Sequence, residues 1–448
     1  MSRHARTLEQ LGVPTVATAG INIVHYAIDY DLKYANGMAI RYVAFPFPIT
    51  GVTPATHKEY IEGKDLLSGK PMMTAIIDAL TRPLTDREKL TDKKAAAVEV
   101  KEPRFLPPDT RANLQKLFME KGWTDYNPII LPTEARVKRM LTGTSHKPDE
   151  IIKSNTFNAG HRDLTVEKVA IAAVMAGAEP KYMPLLLAIM ASGTSYGNST
   201  SSMANTIIVN GPIRKELGMN SGTNAMGPYN KANSVIGRFF VLCSKVAGDL
   251  RNNVSAVESL GSNLQYNSMT IAENEELMPK GWQSLAVQEG FKPTDSVVTV
   301  GVGWSYISSL GEYQPAYPSN VLIADYMRSF SGLGSAATVF VDPTVAKLLQ
   351  DVQGFKTKES LSEWLSNKVE KSVASYWGNG VIMTSNNAMA LQGLEPYASW
   401  SKLPRDTMIK PFNNPRAIKV VVVGGAIQTT WFVSDFRLRR GTLVDDWR

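Results

Sequence analysis

The most polar stretch of the chain contains side chains that could bind an anionic group. It spans residues 205–233 and reads NTIIVNGPIRKELGMNSGTNAMGPYNKAN. The pattern predicts a strand, a short helical turn, a loop rich in glycine and asparagine, and a long helix that begins near Pro228. Glycines let backbone N–H groups approach a ligand, and the start of the helix offers further donors to a carboxylate or phosphate. The alternative is that these residues only satisfy turn geometry.

This stretch supplies the predicted binding residues. The spacing of its glycines matches neither the phosphate-binding loop nor the dinucleotide fingerprint, so no nucleotide cofactor is predicted. A small-molecule substrate remains the expected ligand. We assign the substrate or oxyanion contacts to five side chains: Asn210, Asn220, Ser221, Asn224 and Asn230.

A second signal is acidic and lies in the sequence AENEE at residues 272–276. Its three carboxylates follow an apolar, strand-like segment, so they could hold a divalent cation or act as general acid and base. If they line a cleft, mutual repulsion should raise the pKa of one of them. The alternative is a solvated acidic turn. We take Glu273 and Glu276 as the candidates for acid–base catalysis or cation binding.

A third signal is Glu167 followed by Lys168, a charged pair inside an otherwise apolar predicted helix. An ionised pair on a helix that is hydrophobic almost all round is unfavourable unless it has partners. The pair is therefore a candidate to support catalysis. The alternative is a pair at the start of the helix that reaches solvent.

Other residues narrow the possible chemistry. The chain has one cysteine, Cys243, so intrachain disulfides, cysteine-ligated zinc and an internal dithiol pair are excluded. Its apolar, helical surroundings predict core packing rather than reactivity. The segment VVVVGGA at residues 420–426 predicts a buried strand that ends in a Gly-Gly turn, and ligands of α/β sheets gather at such carboxyl ends.

The opening of the chain shows the elements of a βαβ unit. Residues 13–17 and 40–45 are predicted strands, and residues 21–35 between them have apolar side chains at helical spacing. This order predicts a parallel sheet. Residues 93–109 carry several charges and prolines without apolar periodicity, which indicates a linker.

The region after the linker is again α/β. The sequence thus predicts an N-terminal α/β lobe over residues 1–92 and a main substrate-binding region over 110–448, with parallel-sheet βαβ units in two lobes of similar type. The predicted strands cover residues 205–209, 297–300, 338–341 and 419–423. The predicted helices cover residues 110–121, 133–141, 165–178 (capped by Thr165 and ended by Pro180), 182–191, 230–247, 321–330 and 360–373.

Composition excludes several classes of partner. The net charge of +7 is spread over the chain without a dense basic block, so no nucleic-acid partner is expected. The charge could attract an anionic substrate or an acidic partner, or have no special role. No apolar run is long enough to span a membrane, and the N-terminus does not have the pattern of a signal peptide. We therefore expect a cytoplasmic protein.

Several segments resemble a known family, the UGSC (seleno)proteins, named after a Sec/Cys-Gly-Ser-Cys motif. The similar segments are residues 123–152, TVEKVAIAAVMAGAEPKYMPLLLA at 165–188, IVNGPIRKELGMNSGTNAMGPYNKAN at 208–233 and IAENEE at 271–276. The opening at residues 8–51 resembles the stretch that follows the Sec/Cys motif in that family. It also resembles the corresponding part of selenoprotein B of glycine/sarcosine/betaine reductase.

The chain departs from the family at three places. In the family the redox motif lies just before the helix at which this sequence begins, and residues 1–448 contain no Sec/Cys-Gly-Ser-Cys motif. The usual Asp-Gly-Leu-Pro is here Asp125–Tyr126–Asn127–Pro128, and the Gly-Gly turn continues as Ala426–Ile427–Gln428–Thr429 without a glycine-rich tail. A second subunit that carries the Cys/Sec motif is the expected partner.

The resemblance implies a function that this chain performs with such a partner. The chain would be the substrate-binding subunit of a hetero-oligomeric, thiol- or selenol-assisted enzyme that cleaves or reduces a carbon–heteroatom bond in a small anionic organic substrate. The first alternative is a metal- or carboxylate-dependent lyase or hydrolase subunit, for which a divalent cation is the candidate cofactor. The second alternative is a non-catalytic scaffold or regulatory paralogue of an active partner.

Overall fold

The computed structural model describes residues 5, 8–9, 11–34, 40–49, 52–83, 85, 104–153, 163–193, 202–248, 250, 258–309, 311 and 317–448. The chain divides into two compact units, of which the first is Met1–Thr110, Phe157–His161 and Asp249–Val257. The second is Arg111–Thr156, Arg162–Gly248 and Glu258–Arg448. Residues 93–103 of the predicted linker lie outside the described residues, and the similarity of the two lobes stays a prediction.

The first unit contains the predicted βαβ element. Strands β1 and β2 pair in parallel, with Ala17 opposite Tyr42 and Gly20 opposite Phe45. The helix between them joins two parallel strands, as the apolar spacing predicted. The elements of this unit are β1 (Ala17–Gly20), α1 (Ile21–Tyr34), β2 (Tyr42–Phe45), α2 (Pro54–Glu62) and α3 (Met72–Thr81).

The first strand starts later than predicted. We expected it over residues 13–17, but β1 begins at Ala17. Pro14 has no N–H to donate, and the backbone N–H of Thr15 donates to Oε1 of Glu9 at 2.5 Å instead of to a neighbouring strand. The apolar run therefore leads into the strand without pairing.

The second unit begins with helices that surround an apolar centre. Helix α6 is buried on almost every side, and Thr165 caps it by accepting a hydrogen bond from the backbone N–H of Lys168 at 3.4 Å. Gly177, with φ of +86°, ends it, so the expected stop at Pro180 was wrong. The elements of this part are α4 (Arg111–Glu120), α5 (Glu134–Leu141), β3 (Ile151–Lys153), β4 (Leu164–Thr165), α6 (Val166–Ala176) and α7 (Met183–Ala191).

The middle of the second unit forms a mixed sheet. Its strands lie in the order β14-β7-β5-β6, with β15 also paired to β7, and α9 packs on α6 beside it. Strands β5 and β6 are parallel, whereas β7 is antiparallel to β5. The elements are β5 (Ala204–Asn210), α8 (Ile213–Leu217), α9 (Lys231–Gly248), β6 (Thr270–Ala272), α10 (Leu285–Gln288), β7 (Val297–Gly303), β14 (Arg437–Leu438) and β15 (Thr442–Leu443).

A second mixed sheet has the strand order β12-β9-β13-β8. Strands β12 and β9 are parallel, and β13 is antiparallel to β9. The sheet is mixed, because the connection of residues 423–430 is too short for the helical crossover that a parallel β13 would need. The elements are β8 (Tyr306–Ser308), α11 (Ser319–Met327), β9 (Ala337–Val341), α12 (Pro343–Asp351), α13 (Lys358–Lys368), β12 (Ile418–Val422) and β13 (Trp431–Ser434).

Short elements cover one end of this sheet. The helix predicted over residues 360–373 is shorter, because Val369 is extended and the chain then enters a two-residue strand that pairs with β11. The elements are β10 (Lys371–Ser372), α14 (Val373–Trp377), α15 (Gly380–Leu391), α16 (Tyr397–Trp400) and β11 (Met408–Ile409).

Two of the apolar clusters in the described part of the second unit connect its sheets and helices. One packs helices α11, α12 and α13 on strands β9, β12 and β13. The other joins the two sheets, because Ile208 and Ile271 of one sheet pack with Phe340 and Val421 of the other. The fold is therefore α/β, with helices on sheets that contain parallel strand pairs. Among the helices that the structure describes, none has the length and apolar character required to cross a membrane.

Candidate functional site

Two parallel strands bring a carboxyl group and a Gly-Gly turn to the same edge of the second sheet. Val341 of β9 is opposite Val422 of β12, so the residues that follow the two strands leave the sheet at the same edge. These are Asp342 after β9 and the Gly424–Gly425 turn after β12. The carboxyl edge of a parallel strand pair is where α/β proteins commonly bind ligands.

Residues 219–230 form a loop, the Asn/Gly loop, that lies against the Gly-Gly turn. The backbone N–H of Gly424 donates to the carbonyl of Ser221 at 2.8 Å. Gly425 faces Thr223 so closely that a Cβ at this position would lie 2.2 Å from Oγ1 of Thr223. Position 425 therefore requires glycine for the loop and the turn to meet.

An open pocket of about 300 Å³ lies where these segments meet. We call it the loop–turn pocket. Thr223, Asn224 and Gly227 contribute the Asn/Gly loop, and the Gly-Gly turn forms a second side. The remaining polar lining residues follow β9 or precede β13: Asp342, Gln428 and Thr430. The pocket thus combines two segments that the sequence singled out separately.

Most of the predicted binding residues build this loop instead of lining the pocket. The amide of Asn220 donates to the carbonyl of Thr223 at 2.9 Å, and that of Asn230 donates to the carbonyl of Asn224 at 2.7 Å. Ser221 contributes the carbonyl that holds Gly424. Of the five predicted contacts, Asn224 lies in the pocket wall, with its backbone in the left-handed region at φ of +61°.

Asn210 and Glu273 lie together, in the protein interior. The Asn210 amide donates to Oε2 of Glu273 at 2.6 Å, and the same oxygen accepts from the backbone N–H of Leu285 at 2.7 Å. Oε1 of Glu273 pairs with Nζ of Lys358 at 2.5 Å. Glu273 is fully buried, so this carboxylate joins structural elements rather than facing the loop–turn pocket.

The other two carboxylates of the acidic segment pair with a buried guanidinium. Arg214 donates to Oε2 of Glu275 at 2.7 Å and to Oε1 of Glu276 at 3.1 Å. These bonds from Arg214, with help from Lys215, lower the pKa of Glu276 to about 2. Our expectation of a raised pKa through mutual repulsion was wrong for Glu276, because cations of the chain itself neutralise the cluster.

The acidic segment still has a connection to the pocket. The side-chain amide of Asn274 donates to the carbonyl of Gly424 at 2.9 Å, and its backbone N–H donates to the carbonyl of Val422 at 2.7 Å. Asn274 thus fixes the turn that forms one side of the pocket. In the part of the chain that the structure describes, no group of three histidine, cysteine, aspartate or glutamate residues is placed to hold a metal ion.

Glu167 and Lys168 lie in the first turn of α6. Lys168 is exposed, and its ammonium donates to the carbonyl of Asp163 at 2.6 Å, while Glu167 is partly exposed. A negative charge in the first turn of a helix is favourable, because it faces the positive end of the helix dipole. The placement of the pair therefore agrees with the alternative interpretation, in which the two charged side chains lie at the start of the helix and reach solvent.

The single cysteine is sealed in the core. Cys243 is 1% exposed on α9, and burial raises the pKa of its thiol to about 12. A thiol in this environment is almost entirely protonated at neutral pH and is therefore a poor nucleophile. The sequence prediction of core packing is confirmed.

Asp342 and Thr430 are pocket residues that the sequence analysis missed. Asp342 is 5% exposed, and burial raises the pKa of its carboxyl above the ordinary value in spite of several hydrogen bonds. The signal was present in the sequence, since an aspartate directly after a buried strand and before a proline is typical of a helix N-cap at a sheet edge. Thr430 gave no such signal, because only the fold brings it to Asp342.

Comparisons with known proteins add no relative. No protein-family model, no curated protein and no solved structure matches this chain.

Proposed function

We propose that the loop–turn pocket binds a small organic molecule, and that this chain is the substrate-binding subunit of a hetero-oligomeric, thiol- or selenol-assisted enzyme. The reaction would cleave or reduce a carbon–heteroatom bond. The pocket carries the proposal, because it unites the Asn/Gly loop and the Gly-Gly turn at the carboxyl edge of β9 and β12. Its lining mixes hydroxyl, amide and backbone groups, which suits a polar ligand.

The charge of the lining orients such a ligand. Asp342 is the carboxyl among the lining residues, and an anionic group placed beside it would be repelled when Asp342 is ionised. A carboxylate of the substrate would therefore face the Asn/Gly loop, near Asn224. The part of the substrate that reacts would lie closer to Asp342 and Thr430.

The position of Cys243 supports a second subunit. A thiol-assisted reaction in the pocket needs a reactive thiol or selenol, and the buried Cys243 does not offer one. A partner that carries the Cys/Sec-Gly-Ser-Cys motif would supply it. The open side of the pocket is where this group would enter.

Isolation of the native complex tests this proposal directly. We expect a co-purifying subunit that carries the Cys/Sec motif, and a homo-oligomer without one would overturn the split-enzyme proposal. In the reconstituted complex, Asn224→Ala should lower turnover, whereas the matched variant Asn367→Ala, on the exposed surface of α13, should not. Equal turnover in both variants would show that the activity does not depend on the loop–turn pocket.

A carboxylate-dependent lyase or hydrolase is the second candidate function. The buried carboxyl of Asp342 favours it, because burial raises the pKa of this carboxyl and a carboxyl with a raised pKa inside a pocket is a candidate for proton transfer. Asp342 replaces Glu273 and Glu276 as its acid or base, since those two are held in ion pairs. Activity of the isolated chain without any added thiol would favour this candidate, and metal analysis would show whether a divalent cation takes part.

A further inference from the structure

Two side chains of the loop–turn pocket form a hydrogen-bonded pair with a defined direction. The hydroxyl of Thr430 donates to Oδ2 of Asp342 at 2.9 Å. The backbone N–H of Thr430 donates to the same oxygen at 2.6 Å, so the threonine is held to the carboxyl at two points. Both residues line the pocket, where Thr430 is exposed and Asp342 is buried.

The other oxygen of Asp342 fixes the orientation of the carboxyl. Oδ1 accepts the backbone N–H of Val345 at 2.7 Å, because Asp342 is the N-cap of α12. The carboxyl therefore cannot rotate away from Thr430 without losing this bond. A hydroxyl within hydrogen-bond reach of a base that a third group orients is the arrangement of an activated nucleophile.

We propose that Thr430 is a nucleophile of this pocket, that Asp342 is its general base, and that the pair accepts an acyl group from a small ester or thioester. This chemistry uses residues of this chain alone. It rests on the second candidate function, to which it adds the nucleophile and the substrate class, and its test requires no second subunit. Burial of Asp342, which raises the pKa of its carboxyl, strengthens it as a base.

Acylation begins at the carbonyl carbon of the ester or thioester substrate. Oγ1 of Thr430 forms a bond to that carbon, and its proton moves along the existing hydrogen bond to Oδ2 of Asp342. The tetrahedral intermediate then collapses, the bond to the leaving alcohol or thiol breaks, and that group departs with the proton from Asp342. Threonine carries the acyl group as an ester, and no electron donor or acceptor is consumed.

A water molecule can complete the reaction by the reverse path. Its oxygen bonds to the carbonyl carbon of the ester, and its proton passes to Asp342. Collapse releases the carboxylic acid, while the proton on Asp342 returns to Oγ1 of Thr430. The net reaction is hydrolysis of the ester or thioester, with both side chains restored.

The charge of the pocket favours an acyl group over a phosphoryl group. Among the described residues that line it, none is lysine, arginine or histidine, and Asp342 lies beside the nucleophile. A phosphate would bring its negative charges next to this carboxyl without a cation to offset them. An acyl carbonyl is uncharged and meets no such repulsion.

Reaction of the isolated full chain with 4-nitrophenyl acetate tests the proposal. We expect release of nitrophenol and transfer of an acetyl group to Thr430, located by mass spectrometry of peptides and removed by hydroxylamine as an ester. Thr430→Val lacks the hydroxyl but keeps the backbone bond to Asp342, so it should abolish acetylation at this position and slow the release of nitrophenol by roughly 100-fold or more. Thr430→Ser should restore both.

Two further variants test whether acetyl transfer depends on the side chains of Asp342 and Thr430. Thr384→Val removes an exposed hydroxyl on α15, outside the pocket lining, and should leave acetyl transfer to Thr430 unchanged. Asp342→Asn should abolish transfer while keeping the Thr430 hydroxyl, and circular dichroism reports whether this variant folds. The proposal is overturned if Thr430→Val reacts like the wild type, or if acetyl groups appear on lysines alone. Neither result would bear on the partner subunit, so the two proposals fail independently.

Discussion

Glu273 and Lys358 form an ion pair that is almost completely removed from solvent. Their side chains are 0% and 1% exposed, and Nζ of Lys358 lies 2.5 Å from Oε1 of Glu273. The pair joins the carboxyl end of β6 to the start of α13. Because Asn210 at the end of β5 and Val422 of β12 also donate to this carboxylate, one side chain connects strands of both sheets in the second unit.

Removal of the lysine should therefore destabilise the second unit. Lys358→Met leaves the Glu273 charge buried without its cation, and we expect a loss of about 3–5 kcal/mol in the free energy of unfolding. Urea denaturation measures this. The double variant Lys358→Met/Glu273→Gln removes the uncompensated charge and should recover part of the loss.

An exposed pair supplies the control for this prediction. Lys116 and Glu120 lie 3.7 Å apart on α4 with mostly exposed side chains, so Lys116→Met should change stability by less than about 1 kcal/mol. Similar unfolding midpoints for Lys116→Met and Lys358→Met would contradict the structural role of the buried pair.

The sequence predicted local features of the site better than their arrangement. The Asn/Gly loop and the Gly-Gly turn were both found, since glycine and asparagine mark particular backbone geometries. That Gly425 meets Thr223 could not be predicted, because the two lie about two hundred residues apart and touch only through the pairing of whole sheets. The function implied by the family resemblance stays a prediction.

The acidic segment shows why charge alone misled the prediction. Three carboxylates close in sequence suggested repulsion, but Arg214, Lys215 and Lys358 pair with them. Arg214 lies on α8, directly after β5, and Lys358 begins α13, so only the fold reveals their positions. The βαβ opening was predictable in contrast, because its apolar spacing is local to 21–35.

The interaction of Arg214 with Glu276 predicts a dependence of stability on acidity. The folded-state pKa of Glu276 is about 2, against an ordinary value of 4.5. Because this pKa is lowered, the pair stabilises the fold above about pH 4.5, and this contribution is lost as the pH falls toward about 2. Urea unfolding of the wild type and of Glu276→Gln should therefore differ near neutral pH and converge in acid. A difference that stays constant across this range would refute the assignment.

His146 should give a dependence of the opposite sign. It bonds to the carbonyl of Asp446 and to the carboxylate of Glu150, and these two interactions raise the pKa of its imidazole from the ordinary 6.5. The stabilisation is then fully present below about pH 6.5 and lost as the pH rises through the raised pKa. The stability difference between the wild type and His146→Gln should shrink from mildly acidic to alkaline pH. A difference that grows with pH would be incompatible with these contacts.

Cys243 should not react while the chain is folded. Its thiol is buried in α9, with a pKa of about 12, so a thiol reagent should modify it only after denaturation. Cys243→Ala should also leave any turnover of the reconstituted complex unchanged. Rapid modification of the native chain, or loss of turnover in the variant, would instead make Cys243 the reactive thiol and remove the reason for a second subunit.

The close approach of Gly425 to Thr223 makes the pocket sensitive to a single methyl group. A Cβ at position 425 would lie 2.2 Å from the Thr223 hydroxyl and 3.1 Å from its Cα, so Gly425→Ala must push the Asn/Gly loop away from the turn. We expect a loss of about 1–3 kcal/mol in stability and a slower reaction of Thr430 with 4-nitrophenyl acetate. Gly380 is the matched control, since a Cβ there meets nothing within 4 Å at the start of α15. Gly380→Ala should be neutral or stabilise the chain by up to about 1 kcal/mol, because alanine has less conformational freedom to lose than glycine. If both variants behave like the wild type, the loop and the turn do not pack as closely as described, and the loop–turn pocket loses the wall that defines it.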